Sequence, residues 1–328
     1  MRANQHRNKR RRTQFGPARN FKQHLYGALD LGTNNCRLLI ARPVGFGFRV
    51  TSSFSRVVRL GEGLNTSRRL SDSAMDRTIA ALSICAAKLK ELGVVNSRNI
   101  ATEACRRADN CDSFLDKIIH KTGLAFETIS YEEEARLALL GCQSLLTDGL
   151  PYALVFDIGG GSTELTWARR NKVNGFDIID VLSLPFGVVT LAEECGQAEI
   201  DCRAYDKMVA DICSHLPEFC GRNKIRQEVA GGRVQMLGTS GTVTTLGAVH
   251  LKLPRYSRAL IDGLEMDFQA LDKATRMLSS LDYEHRAEVP CIGTERAELV
   301  IPGCAILEAI RKSWPVGKLS DADRGLRE

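Results

Sequence analysis

Val155-Phe156-Asp157-Ile158-Gly159-Gly160-Gly161-Ser162-Thr163-Glu164-Leu165 decides how this chain folds, because its opening is written twice. The earlier copy, 127 positions upstream, reads Ala28-Leu29-Asp30-Leu31-Gly32-Thr33-Asn34-Asn35, and apolar residues resume at Leu38-Leu39-Ile40. In each copy an apolar run ends in Asp, then Gly and small polar residues, then apolar residues again, which predicts strand, tight turn, strand. Gly and small side chains let a phosphate reach the backbone N–H groups of such a turn, and an Asp at the strand end can hold a divalent cation. Two such turns facing each other make a clamp for a phosphate chain and its metal.

A chain of 328 residues exceeds the usual size of one core, so two domains are expected. Hydrophobic content is 44%, and no apolar run is long enough to span a bilayer. The start is basic without an apolar segment, which does not read as a secretory signal, so a cytoplasmic protein is expected. The 11 cysteines are odd in number and include no Cys-x-x-Cys pair, which favours reduced, mostly buried thiols over disulfides or a zinc site. No His pair has ligand spacing either, so any metal should be a hard ion bound through oxygen.

The net charge of +6 is unevenly placed. Residues 1 to 22 hold eight Lys or Arg and no acid, which leaves 37 basic against 39 acidic residues, a net of −2, in the rest. Residues 1–24 therefore read as a basic disordered tail. It is either a solvated leader or an arm that captures a polyanion such as RNA or polyphosphate.

Beyond the first turn the pattern predicts two short strands, near Phe48 to Ser53 and Arg56 to Leu60. Ser71 is placed to cap a helix that runs to about Leu92 and stops at Gly93. A strand at Asn99 to Thr102, a helix at Cys111 to Thr122, a strand at Ala125 to Ile129 and a helix at Tyr131 to Leu145 complete residues 25–148. Residues 149–328 begin the same way, with strands from Tyr152, Glu164 and Phe176. Helices follow at Val188 to Glu194, Ile200 to Phe219, Thr242 to Val249, Phe268 to Leu281 and Arg296 to Lys312. The repeated order predicts two related α/β domains, 25–148 and 149–328, with a cleft between them.

Asp30 and Asp157 alone could be turn-capping residues, but their matching contexts favour metal binding. Ser162 and Glu164 share one face of a strand and can both address a phosphate-metal centre. Three turns offer backbone to phosphate: Gly32-Thr33-Asn34, Gly159-Gly160-Gly161-Ser162, and Ser240-Gly241 at a helix start. Arg106 is either a surface residue or a guanidinium gripping phosphate oxygens. Glu132, Glu133 and Glu134 stack at a helix start, where they either serve the helix dipole or supply a general base for water. Spacing does not choose among the three.

These motifs, with Thr102-x-Ala104-x-Arg106, Glu133-Glu134-Ala135-Arg136 and the closing Asp323-Arg324-Gly325-Leu326-Arg327-Glu328, resemble the exopolyphosphatase / guanosine pentaphosphate phosphohydrolase family. They occur in family order from about residue 25 onward. The resemblance implies two domains of the actin-like (ribonuclease H-like) ATPase superfamily with the active site in the cleft between them. It also implies Mg²⁺-dependent release of the terminal phosphate of inorganic polyphosphate, or of guanosine pentaphosphate in the stringent response. Glu134 then matches the carboxylate that activates water, and Asp157 and Glu164 match acidic residues around the metal. Asp30 belongs to the first phosphate motif, Gly159 and Ser162 fall on phosphate-loop positions, and Arg106 matches the phosphate-binding Arg. Mn²⁺ is an acceptable substitute for Mg²⁺ in an all-carboxylate set. Longer members carry added C-terminal helical domains, so this chain reads as a two-domain short form, and a homodimer is compatible with it. Two other functions stay open: a small-molecule kinase of the same fold, and a non-catalytic (p)ppGpp or polyphosphate sensor.

Overall fold

The computed structural model describes residues 24–328 except 46, 147, 148, 174 and 197–199, so residues 1–23 of the basic tail lie outside the described residues. Among those described, the first sheet comprises β1 (Tyr26–Leu31), β2 (Asn35–Val44), β3 (Gly47–Val57), β4 (Asn96–Ala101) and β5 (Glu127–Thr128), in the order β3-β2-β1-β4-β5. The second comprises β6 (Tyr152–Ile158), β7 (Thr163–Arg170), β8 (Phe176–Leu184), β9 (Val234–Thr239), β10 (Glu265–Asp267) and β11 (Lys318–Ala322), in the order β10-β11-β9-β6-β7-β8. Taken from its β8 edge, the second sheet repeats the first. An antiparallel meander comes first, then a strand parallel to the Asp-bearing one, β4 on β1 or β9 on β6, then a further parallel strand, β5 or β11. Parallel neighbours need crossover connections. Helix Asp72–Glu91 lies in the first crossover and helices such as Val188–Cys195 and Cys202–Ser214 in the second.

Alternation along β6 explains why it reads as an unbroken apolar run. Leu154 and Phe156 face a core that includes Trp167, Ile212, Ile306 and Trp314, while Ala153 and Val155 face Leu139 and Cys142 of helix Tyr131–Cys142. That helix follows the first sheet in sequence yet packs on the second, which carries its N-terminus to the junction between them. The first core joins Leu29, Leu31, Leu38 and Ile40 to Met75, Leu82, Phe114 and Ile118. Among the described residues, no helix is long and apolar enough to cross a membrane.

Local signals held where expected: Ser71 Oγ accepts from Ala74 N at 3.2 Å, and Gly93 takes a φ of 64° after the same helix. Three expectations are corrected. The two strands expected at Phe48 and Arg56 are one strand, β3, because Phe54 and Ser55 between them pair in unbroken register with Leu38 and Arg37; the one bulge lies further along, opposite Ile40 and Ala41. The helix expected over Ile200 to Phe219 breaks before Pro217, which starts the helix Pro217–Arg222. The helix expected over Arg296 to Lys312 is two, Thr294–Ala297 and Val300–Ser313.

Candidate active site

The two Asp-Gly turns close in the same way: Gly32 N donates to Asn35 O and Gly159 N donates to Ser162 O, each at 2.9 Å. Register places Asp30 opposite Arg37 in one hairpin and Asp157 opposite Glu164 in the other. The turns also meet each other. A methyl at Gly160 would lie 3.1 Å from Thr33 Cβ, and one at Gly161 would lie 2.7 Å from Thr33 Oγ1 and 3.0 Å from Glu103 Cγ. Gly is required here by space, since bare backbone is what lets the two turns approach. Behind the second turn starts helix Val188–Cys195, whose Val188 N and Val189 N donate to Gly159 O and Gly160 O at 3.0 and 2.9 Å.

Local chemistry separates the three acids that spacing could not. Ser130 caps the helix, its hydroxyl accepting from Glu133 N, and the three Glu side chains meet different surroundings. Glu132 is exposed. Glu133 is claimed by Arg136 at 2.6 Å and Arg98 at 3.0 Å, and these partners, Arg136 foremost, hold its carboxyl at about 2. Glu134 alone turns inward, 8% exposed, and accepts from Arg106 Nη1 at 2.7 Å. Arg106 lies on the short helix Glu103–Arg107 just past β4. Its Nη1 also donates to Ile129 O at 3.0 Å and its Nε to Glu103 Oε2 at 3.0 Å. Across the junction, Arg106 Nη2 stands 3.9 Å from Glu164 Oε1, which accepts from Ser162 Oγ at 2.7 Å and Ser183 Oγ at 3.0 Å.

Four carboxyl groups thus lie within range of one another's charge at this junction. Burial first, then the negative charge of Glu164, pushes Glu134 up to about 8. Burial and Glu134 push Asp157 up to about 7; burial raises Glu164 to about 7, with Asp157 adding to it. Asp30 is raised chiefly by burial, against the pull of Arg37. Acids that raise one another are arranged to receive positive charge. Every available donor is an oxygen, and the buried Asn34 Oδ1 has no partner. Among the described residues no three Asp, Glu, His or Cys side chains converge as a ready-made metal cage. Such an open set suits Mg²⁺, which is commonly held by one or two carboxylates together with substrate phosphates.

The fold therefore gathers Gly32, Thr33, Asn34, Arg106, Glu134, Gly159, Gly160, Gly161, Ser162 and Glu164 around one junction, with Asp30 and Asp157 at the strand ends behind it. Ser240 and Gly241 open the helix Gly241–His250 directly after Thr239, which pairs with Asp157. The Ser240 hydroxyl accepts from Thr242 N and Val243 N at 3.2 Å as a helix cap, and among the described residues no hydrogen bond or ion pair joins it to the carboxylates. Sequence reasoning missed Glu103, Ser183 and Gly187. The first two looked like ordinary polar residues on regular elements, and Gly187 like a helix start.

Comparison with known proteins bears on the family and the fold. The model of the Ppx/GppA phosphatase family matches residues 39–328. The guanosine-5'-triphosphate,3'-diphosphate pyrophosphatases of Aliivibrio fischeri and Photobacterium profundum are each 31% identical over 308 residues, 93% of this chain. The chain spans 58% of the length of each of these relatives. A solved exopolyphosphatase-like protein is 28% identical with a TM-score of 0.80, covering 92% of this chain and 96% of its own. An exopolyphosphatase from Cytophaga hutchinsonii superposes at a TM-score of 0.82 with 22% identity, covering 93% of this chain and 95% of its own. The fold is the actin-like one expected above, and the chain belongs to the Ppx/GppA phosphatase family.

Proposed function

We propose that this chain is a cytoplasmic phosphoanhydride hydrolase that removes the terminal phosphate of inorganic polyphosphate, and also the 5′-terminal phosphate of guanosine pentaphosphate. The observation that carries the reading is Glu134: a buried carboxylate at a helix start, tied to Arg106 and within range of the charges of Glu164 and Asp157. Its environment lifts it toward neutral pH, where a general base works best. In its ionised form it orients a water and takes its proton at the carboxylate oxygen. Arg106 and the backbone N–H groups of the two turns bind the phosphate chain and face the charge that develops on it. Asp157, Glu164 and Asp30 would surround Mg²⁺ or Mn²⁺, with one or two of them and the substrate's phosphate oxygens as its ligands. When bound, that cation would polarise the phosphoryl group and offset its charge.

Metal dependence tests this part. Phosphate release is expected to vanish in chelator and to return with Mg²⁺ or Mn²⁺ but not Zn²⁺; full activity in chelator would remove the metal from the account. The pH dependence has a definite sign. Glu134, Asp157 and Glu164 sit at about 8, 7 and 7 in the folded chain against 4.5, 3.8 and 4.5 normally. Within that window the folded state keeps protons that the unfolded chain has released, so metal-free protein loses stability as pH rises. Mg²⁺ should accordingly raise the melting temperature more at pH 8.5 than at pH 5.5, a difference read directly by thermal unfolding.

The tail enters as a second element of the proposal. With +8 in residues 1 to 22 against −2 elsewhere, it is the segment able to attract a long polyanion. Deleting it should leave turnover on a short substrate unchanged and weaken capture of long polyphosphate. The deficit should shrink as salt rises, since screening acts over roughly 10 Å at 0.1 M. Equal affinity for long chains at low salt would defeat this element.

A further inference from the structure

The guanidinium of Arg106 carries five N–H bonds in a planar fork, and the structure engages three of them. Nε donates to Glu103 Oε2 at 3.0 Å, and Nη1 donates to Glu134 Oε2 at 2.7 Å and Ile129 O at 3.0 Å. Nη2 is buried without a hydrogen-bond partner. It lies 2.9 Å from Glu103 Oε2 and 3.9 Å from Glu164 Oε1, but its N–H bonds are aimed at neither. A buried donor left unpaired is costly unless something fills it. In the reading proposed above, a phosphate oxygen does so.

Which edge of the fork stays open depends on what holds the other edges. We propose that Glu103 is a positioning residue that acts through Arg106: by engaging Nε, the nitrogen next to the side-chain stem, it fixes the rotation of the guanidinium and leaves Nη2 for the phosphate. Glu103 is suited to this. It sits one helical turn before Arg106, its side chain is 18% exposed, and its stem packs against the second turn, where a methyl at Gly161 would lie 3.0 Å from Glu103 Cγ. Without it, Glu134 and Glu164 remain as the carboxylates facing Arg106. Arg–carboxylate pairs favour bidentate contact, so the fork would rotate onto them, carrying Nη2 away from the phosphate. The inference rests on the phosphoanhydride reading for its ligand, and on the observed contacts for its geometry.

The test is a double-mutant cycle on binding. Affinity for a methylene-bridged triphosphate, which cannot be hydrolysed, is measured by calorimetry with Mg²⁺ for wild type, Glu103→Ala, Arg106→Ala and the double variant. Glu103→Ala is expected to weaken binding about 10- to 100-fold, and Glu103→Gln to recover most of the loss, because its amide oxygen still accepts from Nε. In the Arg106→Ala background, Glu103→Ala should change nothing. A merely structural Glu103 would lower affinity equally in both backgrounds, which overturns the proposal, as would wild-type affinity in Glu103→Ala or no triphosphate binding by wild type. Because binding is read, a wild type that binds triphosphate but releases no phosphate would contradict the proposed hydrolysis and still leave the coupling measured.

Discussion

Glu134→Gln should release phosphate about 10² to 10⁴ times more slowly than wild type, with affinity for the phosphate chain retained or slightly raised. Gln keeps the shape of Glu134 and can still accept from Arg106, so the buried site stays filled. What it loses is the ability to take a proton. It also loses the negative charge that competes with phosphate for the guanidinium, which sets the direction of the affinity change. Steady-state kinetics and binding to the same substrate read the two effects separately. The control is Glu133→Gln. Glu133 points outward to Arg98 and Arg136, half-exposed pairs worth at most about 1 kcal/mol, so its loss should change the rate less than about fivefold. If Glu133→Gln proved the more damaging, the base would have been assigned to the wrong carboxylate.

Gly187→Ala is expected to cost about 10²-fold in turnover, although residue 187 carries no side chain and titrates nothing. The added methyl would fall on the carbonyl carbon and oxygen of Gly160 and on Gly161 N. Backbone rather than a flexible side chain stands in the way, so the second turn must move. Both of its functions suffer: the N–H groups that would face phosphate shift, and so does its contact with Thr33. The stability cost should be about 1–3 kcal/mol, as for other overpacked sites, so thermal unfolding should still show a folded protein. Gly221→Ala is the comparison, because a methyl there meets open space. It should leave the rate near wild type. Equal damage from both would mean that glycine content as such, and not the approach of helix to turn, decides the loss.

The sequence carried the parts of this account that are local. Asp-x-Gly turns, the Ser71 cap and the apolar stripe of helix Asp72–Glu91 are short-range patterns, and they put Asp30 and Asp157 near strand ends and Gly32 and Gly159 in tight turns, where the structure has them. What it could not carry is contact across long separations. Nothing near Ser183 announces that its hydroxyl lies 3.0 Å from Glu164 Oε1, 19 positions away. Nothing near Lys318–Ala322 announces a strand pairing with β9. β3 was misjudged for a different reason: as an edge strand with mostly exposed side chains, it lacks the alternation that marks a half-buried strand. The choice among Glu132, Glu133 and Glu134 needed the positions of Arg98 and Arg136 and the helix's packing on the second sheet. Ser240 reads equally as a helix cap, the role its hydroxyl fills here, and as a phosphate contact, because helix caps and anion sites use the same residues.

The central claim is that Glu134 activates a water against the terminal phosphoanhydride of the substrate. Hydrolysis of long-chain polyphosphate and of guanosine pentaphosphate in ¹⁸O-labelled water, with Mg²⁺, tests it most directly. The account predicts orthophosphate carrying one solvent oxygen, released from both substrates, with the signal lost in Glu134→Gln. Orthophosphate without solvent oxygen, transfer of the phosphoryl group to another acceptor, or undiminished labelling in Glu134→Gln would contradict it.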